Sequence, residues 1–405
     1  MRILFLTDNF PPETNAPATR TWEHVRVWAQ EGHDITVITT APNFPKGVVH
    51  DGYRNAWRSV EHREGIRIVR IKTYIAANAG TLKRMLDYIS FMVSASIFGV
   101  FEKRPDIIVA TSPQFFTACA GLILSVLRWR PWVFELRDLW PDSIVAVGAM
   151  KPSRALRALE KLELFLYRRS RIVVSVTNAF KSNLIARGID GAKIKVVTNG
   201  VDPAKFLSQP KDAALTEELN LTGKTVIGYV GTHGMAHALD KVLDAADLLK
   251  DRNDIAFLFV GGGAERAKLE ARARDMPNVR LLGPQPRERM PTIWSLCDVA
   301  LVPLRDTPTF RTVIPSKIFE AMATGQPILI SLPDGEATKI VTKTGAGIAV
   351  PPENPAEMAR EIIHLSDSAA LREELGSKGI LAVKEYDRTM LATRMLDHLV
   401  VAAKR

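Results

Sequence analysis

Short apolar segments rich in β-branched residues alternate with helical patterns along almost the whole chain, and this order strongly limits the possible folds. The segments are continuously apolar, which is typical of strands buried on both faces. The predicted strands are residues 3–6, 35–39, 66–71, 107–110, 132–136, 172–176, 194–197, 225–230, 255–260, 279–282, 299–304, 328–331 and 347–350. The repeated strand–helix order predicts parallel sheets covered by helices on both faces.

The alternation stops once, at the turn-rich segment 198–203 and the polar stretch 208–223. A chain of 405 residues is also long for a single hydrophobic core. We therefore predict an α/β fold of two Rossmann-like doubly wound domains, residues 1–200 and 201–385, and a C-terminal helix within 386–405 that could pack back onto the first domain. Ligands of such sheets bind at the carboxyl ends of the strands, so the expected site is a central cleft that both domains face.

Positive charge is concentrated in the first half of the chain. Residues 1–200 carry 28 Lys and Arg against 17 Asp and Glu, whereas the remainder carries 26 against 27. A basic half favours an anionic partner, either a membrane surface or a phosphorylated substrate. Nucleic acid is not an expected partner, because the basic residues are not interleaved with aromatic residues in a recognisable nucleic-acid-binding motif.

The segment from Leu86 to Phe101 is almost uncharged apart from Asp87, and the basic pairs Lys83-Arg84 and Lys103-Arg104 flank it. Its 16 residues are short for a membrane span. Two interpretations stay open. The segment is either a buried helix of the first domain or a partly exposed helix at an anionic bilayer interface, held there by its basic flanks.

The cysteines and the first residues indicate the compartment. Cys119 and Cys297 are far apart in apolar surroundings, so neither a disulfide framework nor a zinc site is expected, and a reducing compartment fits. The start of the chain has a short apolar run followed at once by Asp8, which predicts a first strand rather than a secretory signal. We expect a cytoplasmic protein that associates peripherally with the inner face of the plasma membrane.

Two glycine-rich loops follow successive predicted strands of the second domain. Gly231-Thr232-His233-Gly234 comes after the strand ending at Val230, and Gly261-Gly262-Gly263 comes after the next one. Glycine lets the backbone approach a diphosphate closely, and the helix that follows supplies positive potential. Each loop alone is also consistent with a simple tight turn, but two in neighbouring βα loops favour a phosphate site.

A third candidate is the segment 315–320, Pro-Ser-Lys-Ile-Phe-Glu, which opens a helix. Ser316 is predicted to cap this helix, Lys317 adds a full positive charge, and Glu320 could accept hydrogen bonds from the hydroxyls of a ribose. The alternative is a cap with a structural salt bridge. A fourth candidate is Leu282-Gly283-Pro284-Gln285, where backbone groups at a strand end could contact a base.

In the first domain, two polar loops end predicted strands. One is the segment 8–15, Asp-Asn-Phe-Pro-Pro-Glu-Thr-Asn, and the other is 137–142, Arg-Asp-Leu-Trp-Pro-Asp. Asp138 or Glu13 could orient or deprotonate an acceptor hydroxyl, and Arg137 could hold a phosphate. A purely structural Arg–Asp pair is the alternative.

Several motifs are absent from the sequence. It has no Asp-x-Asp, Walker A, Gly-x-Ser-x-Gly or His-Glu-x-x-His, and Gly-x-Gly-x-x-Gly does not follow the first strand. We therefore expect no metal and no cofactor. Helix N-termini and Lys317 would balance the charge of a diphosphate.

These motifs resemble those of retaining glycosyltransferases of family 4, which have the GT-B fold. The resemblance rests on Gly228–Gly234 (GYVGTHG), on 260–263 (VGGG) and above all on 315–329 (PSKIFEAMATGQPIL), and it extends over nearly the whole chain. The segments 134–143 and 231–240 are similar to the WbuB-like N-acetyl-L-fucosamine transferase branch of bacterial surface-polysaccharide synthesis.

The resemblance implies transfer of a sugar, with retention, from a nucleotide-sugar bound by the second domain to an acceptor bound by the first. It favours UDP over GDP, and with the charge and the apolar segment it implies a polyprenyl-diphosphate-linked saccharide acceptor. The predicted donor-binding residues are Gly231, Thr232, His233, His237, Gly262, Gly263, Gln285, Arg311, Thr312, Pro315, Ser316, Lys317 and Glu320. The predicted acceptor-binding residues are Asn9, Pro12, Glu13, Asn15 and Arg20, and the predicted catalytic residues are Asp138, Arg137 and Glu13.

The sequence departs from the family pattern at two donor-side positions. Thr312 stands where the family has the first of two signature glutamates, and His237 stands at the place of the usual phosphate-binding lysine. Arg311, Lys317 or His233 could replace part of that charge. Two alternative functions stay open, namely a non-hydrolysing nucleotide-sugar epimerase of the same architecture and a non-catalytic sugar-nucleotide-binding protein.

Overall fold

The computed structural model describes residues 1–44, 46–75, 81–112, 114–139 and 153–404. The chain forms two compact units. Unit 1 comprises Met1–Thr198 and Arg388–Arg405, and unit 2 comprises Asn199–Asp387.

Unit 1 is built on an eight-stranded sheet with the order β3-β4-β2-β1-β5-β6-β7-β8. The strands are β1 (Arg2–Leu6), β2 (Asp34–Thr40), β3 (Arg58–Arg63), β4 (Ile66–Ile71), β5 (Ile107–Thr111), β6 (Trp132–Leu136), β7 (Ile172–Ser175) and β8 (Ile194–Val196). The neighbours from β4 to β8 pair in parallel, as the apolar runs predict.

The edge strand β3 was not predicted, and it pairs antiparallel with β4. Its sequence, RSVEHR, has one apolar residue, and nearly all of its side chains are exposed. Backbone pairing with β4 rather than side-chain burial makes it a strand, so no hydrophobic pattern marks it.

Helices cover both faces of the sheet of unit 1. They are α1 (Ala16–Gln30), α2 (Thr81–Phe101), α3 (Phe115–Arg128), α4 (Arg154–Arg169) and α5 (Asn178–Ala186). Residues of α2, α3, α4 and α5 share one hydrophobic core with the strands, whereas α1 belongs to the core on the other face. The side chain of Asn15 accepts a hydrogen bond from the amide of Ala18 and so caps α1 at its first turn.

Unit 2 contains a six-stranded sheet with the order β11-β10-β9-β12-β13-β14, in which every pair is parallel. Its strands are β9 (Thr225–Val230), β10 (Ile255–Val260), β11 (Val279–Leu282), β12 (Val299–Pro303), β13 (Ile328–Ser331) and β14 (Gly347–Val350). The helices are α6 (Ala213–Glu218), α7 (Leu239–Leu248), α8 (Arg266–Ala273), α9 (Met290–Ser295), α10 (Lys317–Thr324), α11 (Glu336–Thr344), α12 (Pro355–Asp367) and α13 (Ala369–Ala382). The order reverses at β9, so the loops after β9 and β12 lie at a topological switch point.

The last helix, α14 (Arg388–Ala403), packs on unit 1 against α1. The indole Nε1 of Trp28 donates a hydrogen bond to the carbonyl of Ala392 at 2.8 Å, and both residues are buried. Each unit is a Rossmann-like doubly wound sheet, so the predicted fold class is confirmed for the two units.

Candidate functional site

Three loops of unit 2 meet at the carboxyl edge of its sheet. The amide of His233 donates to the carbonyl of Gly262 at 2.8 Å, which joins the loop after β9 to the loop after β10. The amide of Gly261 donates to the carbonyl of Leu282 at 3.0 Å, which joins the second loop to the end of β11. The two predicted glycine loops and the segment 283–285 therefore form one contiguous surface.

Glycine is required where the first two loops touch. Gly261 has φ +140°, and a Cβ built there would lie 1.9 Å from the carbonyl oxygen of Gly231. Gly263 has φ +151°, and its Cβ would lie 2.5 Å from the carbonyl oxygen of His233. These contacts leave no room for a side chain, so the glycines serve the close packing of the loops as well as any ligand.

Lys317, the first residue of α10, extends its ammonium group to the same loops. Its Nζ lies 3.7 Å from the ring centroid of Tyr229 and 3.0 Å from the point that a Cβ on Gly231 would occupy. This Nζ is buried and has no hydrogen-bond partner among the described residues. Burial lowers the pKa of Lys317 to about 7, against an opposing effect of Glu320.

Two histidines stand beside this ammonium group. Both ring nitrogens of His233 and the Nδ1 of His237 are buried and lack partners among the described residues. Burial lowers the pKa of His233 to about 4 and that of His237 to about 3, and the charge of Lys317 adds to both effects. Both rings are therefore neutral at pH 7, with one donor and one acceptor nitrogen each, and the ring of His237 already has a hydrogen bond to the backbone of Pro303.

Tyr229 organises this group and was not predicted as a site residue. Its ring lies 5.9 Å from that of His233 and 5.8 Å from that of His237, and its hydroxyl donates to the carbonyl of Thr232 at 2.6 Å. The available signal was a tyrosine two residues before a glycine turn, as the single aromatic residue of its strand. We call Tyr229, His233, His237 and Lys317 the basic cluster.

The basic cluster contains the buried ammonium group of Lys317, which has no acceptor among the described residues, beside the buried ring of His233. A buried polar group without a partner costs free energy, so the cluster is suited to an anionic ligand with several oxygen atoms. The amides of Ser316 and Lys317 at the start of α10 also have no acceptor within the described ranges, and the helix dipole favours an anion there. A phosphate or diphosphate has the matching charge and acceptors.

The prediction that Ser316 caps α10 with its side chain is wrong. Its backbone is already helical, at φ −62° and ψ −24°, and its side chain makes no capping hydrogen bond. Its carbonyl instead accepts the amide of Phe319 at 3.1 Å, and the carbonyl of Pro315 accepts that of Ile318 at 3.2 Å.

Glu320 lies on the next turn of α10 and is half-buried. Its Oε2 accepts a hydrogen bond from the indole of Trp294 at 3.2 Å. This bond fixes the direction of the carboxylate and leaves Oε1 without a partner among the described residues, so one oxygen can bind a hydroxyl. The predicted salt-bridge alternative is not what the structure shows.

The remaining predicted donor-side residues lie on two other segments. Gln285 donates to the carbonyl of Gly283 at 3.4 Å within the loop after β11. Arg311 and Thr312 lie on the 3₁₀ turn Pro308–Thr312, where the hydroxyl of Thr312 donates to the carbonyl of Thr309 at 2.7 Å. No described contact joins this turn to the basic cluster, and Arg311 is exposed.

On unit 1, a chain of polar side chains follows β1. The Nδ2 of Asn15 donates to Asn9 at 2.5 Å, and the Nδ2 of Asn9 donates to Asp8 at 3.2 Å. Burial raises the pKa of Asp8 well above its usual value, and the charges of Asp87 and Glu13 act in the same direction. Pro12 is exposed next to them, after a cis Pro11–Pro12 bond. Asp8 is thus a candidate acceptor-side acid or base that the sequence did not single out.

Glu13 and Arg20 have structural partners that account for their side chains. The carboxylate of Glu13 accepts the amides of Phe10, Asn43 and Phe44 at 3.2, 2.8 and 2.9 Å. Arg20 is buried, pairs with Glu135 at 2.9 Å and donates to the carbonyls of residues 197 and 198. These contacts hold the surrounding loops in place, and the acceptor-binding roles of both residues and the catalytic role of Glu13 stay predictions.

Arg137 also has mainly structural contacts. Its guanidinium donates to the carbonyls of Pro17 and Ala16 at 3.2 and 3.1 Å, and burial lowers its pKa to about 10. Asp138 follows it and is half-buried. The rest of the predicted loop, residues 140–142, lies outside the described residues.

Two family matches divide the chain in the same way as the two units. Residues 15–200 match the glycosyl transferase 4-like domain, and residues 224–368 match the glycosyl transferases group 1 domain. The chain belongs to the group 1 glycosyltransferases.

Relatives and a solved structure agree with this assignment. WcaI of Escherichia coli K12, described as a colanic acid biosynthesis glycosyl transferase, is 28% identical over 86% of this glycosyltransferase and 88% of its own length. A GDP-mannose-dependent alpha-mannosyltransferase of Mycobacterium tuberculosis is 24% identical over 87% of this chain and 84% of its own. The structure of Anabaena Alr3699/HepE in complex with UDP and glucose superimposes with a TM-score of 0.74 at 18% identity, over 99% of both chains. The predicted GT-B fold of this glycosyltransferase is confirmed.

Proposed function

We propose that this glycosyltransferase moves a sugar from a UDP-sugar to a lipid-linked saccharide during synthesis of a bacterial surface polysaccharide, with retention and without a metal. The observation that supports the proposed donor site is the basic cluster, in which the unpartnered ammonium of Lys317 and two histidines lie beside two glycine loops. These groups, with the amides at the start of α10, would supply the positive potential for the diphosphate.

The nucleotide and sugar are inferred from similarity. UDP is favoured by the UDP complex of Alr3699/HepE, whereas the mannosyltransferase relative makes GDP-mannose the competing donor. The WbuB-like similarity of residues 231–240 points to an N-acetylated deoxyhexose such as N-acetyl-L-fucosamine. Thr312 is consistent with a changed sugar contact, because it places a hydroxyl engaged with Thr309 where the family has a carboxylate.

The proposed transfer reaction needs few catalytic groups from unit 1. The bond between the anomeric carbon and the diphosphate oxygen breaks, and the acceptor oxygen bonds to the same face of that carbon. The acceptor proton passes to the departing diphosphate. Lys317 and the histidines stabilise the charge that develops on this leaving group, which is where electrostatic assistance is most effective. On the acceptor side, we propose that Asp8 or Asp138 orients the hydroxyl.

The proposed role in polysaccharide synthesis is inferred from the similarity to WcaI, and the proposed membrane association is inferred from α2. Leu86, Val93, Ile97 and Phe101 form one stripe along α2 and are 47%, 47%, 52% and 77% exposed. Lys83–Phe101 is long and apolar enough to span a membrane by length and composition, with 17% of that window buried. Phe91 and Ala95 on the opposite side lie in the core, so we propose that α2 lies on an anionic bilayer rather than across it.

Replacing Ile97 by glutamate is expected to reduce binding to anionic vesicles several-fold, because a charge enters the centre of the exposed stripe. Co-sedimentation with vesicles containing phosphatidylglycerol measures this. Leu248→Glu makes the same change on α7 of unit 2, where Leu248 is 60% exposed. Loss of vesicle binding to the same extent in both variants would contradict a specific role of α2. Unchanged vesicle binding in both variants would contradict it as well.

A panel of UDP- and GDP-sugars, scored first by thermal shift and then by turnover with a polyprenyl-diphosphate-linked saccharide, tests the function. A bound donor stabilises the folded protein, so the correct nucleotide raises the melting temperature. Acceptor-dependent transfer of a UDP-sugar supports the proposal. Turnover of a UDP-sugar without acceptor would identify an epimerase, which the family matches do not favour. Tight binding without turnover would identify a binding protein.

A further inference from the structure

The ends of α2 and α3 carry an unusual group of exposed apolar side chains. Phe101, Val126, Leu127 and Trp129 are 77%, 64%, 56% and 79% exposed, and we call them the apolar tip. The guanidinium of Arg128 donates to the carbonyls of Val100 and Glu102, which fixes the two helix ends together. A cluster of large exposed apolar side chains usually marks an interaction site.

Trp129 is the residue of the apolar tip that most clearly indicates an interaction site. It ends α3 in a left-handed conformation, with φ +54°, at a position where helices usually have glycine. A tryptophan that is both strained and 79% exposed contributes little to the core. Indole rings are enriched where an apolar region meets water, as at the interface of a bilayer.

A cavity of about 450 Å³ lies beside the tip, and we call it the basic cavity. It is lined by Ser125, Pro131, Trp132, Arg169, Arg171 and Lys193, among others. Ser125 and Pro131 bracket the tip residues 126–129 in the sequence, so the cavity and the apolar tip are adjoining parts of one surface. No carboxylate belongs to this lining within the described residues.

Two of the three cations remain available to a ligand. The Nζ of Lys193 donates to the carbonyls of Tyr167 and Arg168 at 3.1 and 2.8 Å and so closes the end of α4. Arg169 stacks over the exposed ring of Phe165 at 5.4 Å. Arg171 makes one long hydrogen bond, of 3.4 Å, to the carbonyl of Lys404. Neither arginine has a carboxylate partner in the part of the chain that the structure describes.

We propose that the basic cavity binds the phosphate of an anionic phospholipid headgroup while the apolar tip enters the bilayer interface. Guanidinium groups match phosphate oxygens in geometry and charge. The tip includes Phe101, the last residue of the exposed stripe of α2, so the two surfaces continue into each other. The inference rests on the proposed membrane association and adds a defined headgroup site to it.

The double variant Arg169→Gln, Arg171→Gln tests this site. Co-sedimentation should show at least a ~10-fold loss of affinity for vesicles containing phosphatidylglycerol, at low salt, where charge–headgroup attraction is least screened. The matched control is Arg154→Gln, Arg157→Gln, which removes the same charge from exposed positions at the start of α4. This control should keep most of the vesicle binding. Equal losses in the two double variants would mean that only net charge matters and would overturn the proposal.

Further measurements exclude other occupants. Trp129→Ser should weaken vesicle binding without changing the mass of the protein in solution. A dimer that dissociates in this variant would identify a second copy of the chain as the occupant and overturn the lipid assignment. Binding of glycerol phosphate in solution without any binding to vesicles would also overturn it.

The transfer assay separates this inference from the proposed function. Transfer to a short-chain, water-soluble acceptor should be unchanged in the Arg169, Arg171 double variant, because these residues lie outside the predicted donor- and acceptor-binding sets. Wild-type protein that binds vesicles through the cavity but transfers no sugar would contradict the function alone.

Discussion

Replacing Lys317 by methionine is expected to weaken the binding of a nucleoside diphosphate by roughly 10- to 100-fold, the range for losing a hydrogen bond to a charged group. The same change is expected to raise the melting temperature of the unliganded protein by a few degrees. The ammonium group is buried without a hydrogen-bond partner, and methionine fills a similar volume without a charge. Affinity and stability should therefore change in opposite directions.

Calorimetry with UDP and GDP measures the affinity, and thermal unfolding without ligand measures the stability. Lys339→Met is the matched control, because Lys339 is exposed on α11 and carries the same charge. It should change neither quantity. Unchanged affinity in Lys317→Met would remove Lys317 from the phosphate site, whereas a lower melting temperature would show that its ammonium stabilises the unliganded fold.

The pH dependence of stability follows from the same residue. Its pKa is about 7 in the folded protein and about 10.4 in an unfolded chain, so between these values the unfolded state binds more protons. The contribution of Lys317 to the free energy of unfolding therefore increases with pH in this window, by about 1.4 kcal/mol per pH unit. Urea unfolding of wild type and Lys317→Met at pH 7, 8 and 9 measures it as the difference between the two proteins. An equal pH slope in both proteins would contradict a lowered pKa.

The strands were predictable because parallel strands are buried on both faces and leave continuous apolar runs in the sequence. β9 and β10 begin and end at the predicted residues for this reason. β3 was not predictable from the sequence, because it is an edge strand with exposed side chains that is held by backbone pairing. The helical pattern from Leu86 to Phe101 was recognised. Its exposed stripe could not be predicted, because the stripe depends on which side of α2 the helix α3 covers in the tertiary structure.

The candidate site was predictable where residue type alone implies a property. Glycine loops and a lysine at a helix start imply close backbone approach and positive charge, and these residues do come together. Glu13 and Arg20 show the limit of such reasoning. The sequence does not show that the carboxylate of Glu13 accepts three amides or that Arg20, on α1, pairs with the buried Glu135, because these contacts depend on the tertiary structure. Tyr229 was missed because its role depends on its contact with Lys317, which is far away in the sequence.

Replacing Gly261 by alanine is expected to abolish measurable nucleotide binding and to destabilise unit 2 by about 3 kcal/mol or more, through overpacking and backbone strain together. The new Cβ would lie 1.9 Å from the carbonyl oxygen of Gly231, at φ +140°. Neither backbone can move away easily, because the amide of Gly231 is bonded to Val260 and that of Gly261 to Leu282. Separation of the loops would displace Gly231 from Lys317 and disrupt the basic cluster.

Gly283→Ala is the matched control, since Gly283 lies at the same edge of the sheet and a Cβ there would meet nothing within 4 Å. Its unfolding free energy should stay within about 0.5 kcal/mol of wild type, which separates the effect of the steric contact on stability from that of the added methyl group. If Gly261→Ala does not fold, Gly262→Ala provides a milder test, because its Cβ would lie 3.0 Å from a ring carbon of Pro284. That contact leaves the bond between His233 and Gly262 in place, so a folded protein with modestly reduced affinity is expected. Normal nucleotide affinity in a folded Gly261→Ala protein would show that the contact between the two loops is not needed for the site.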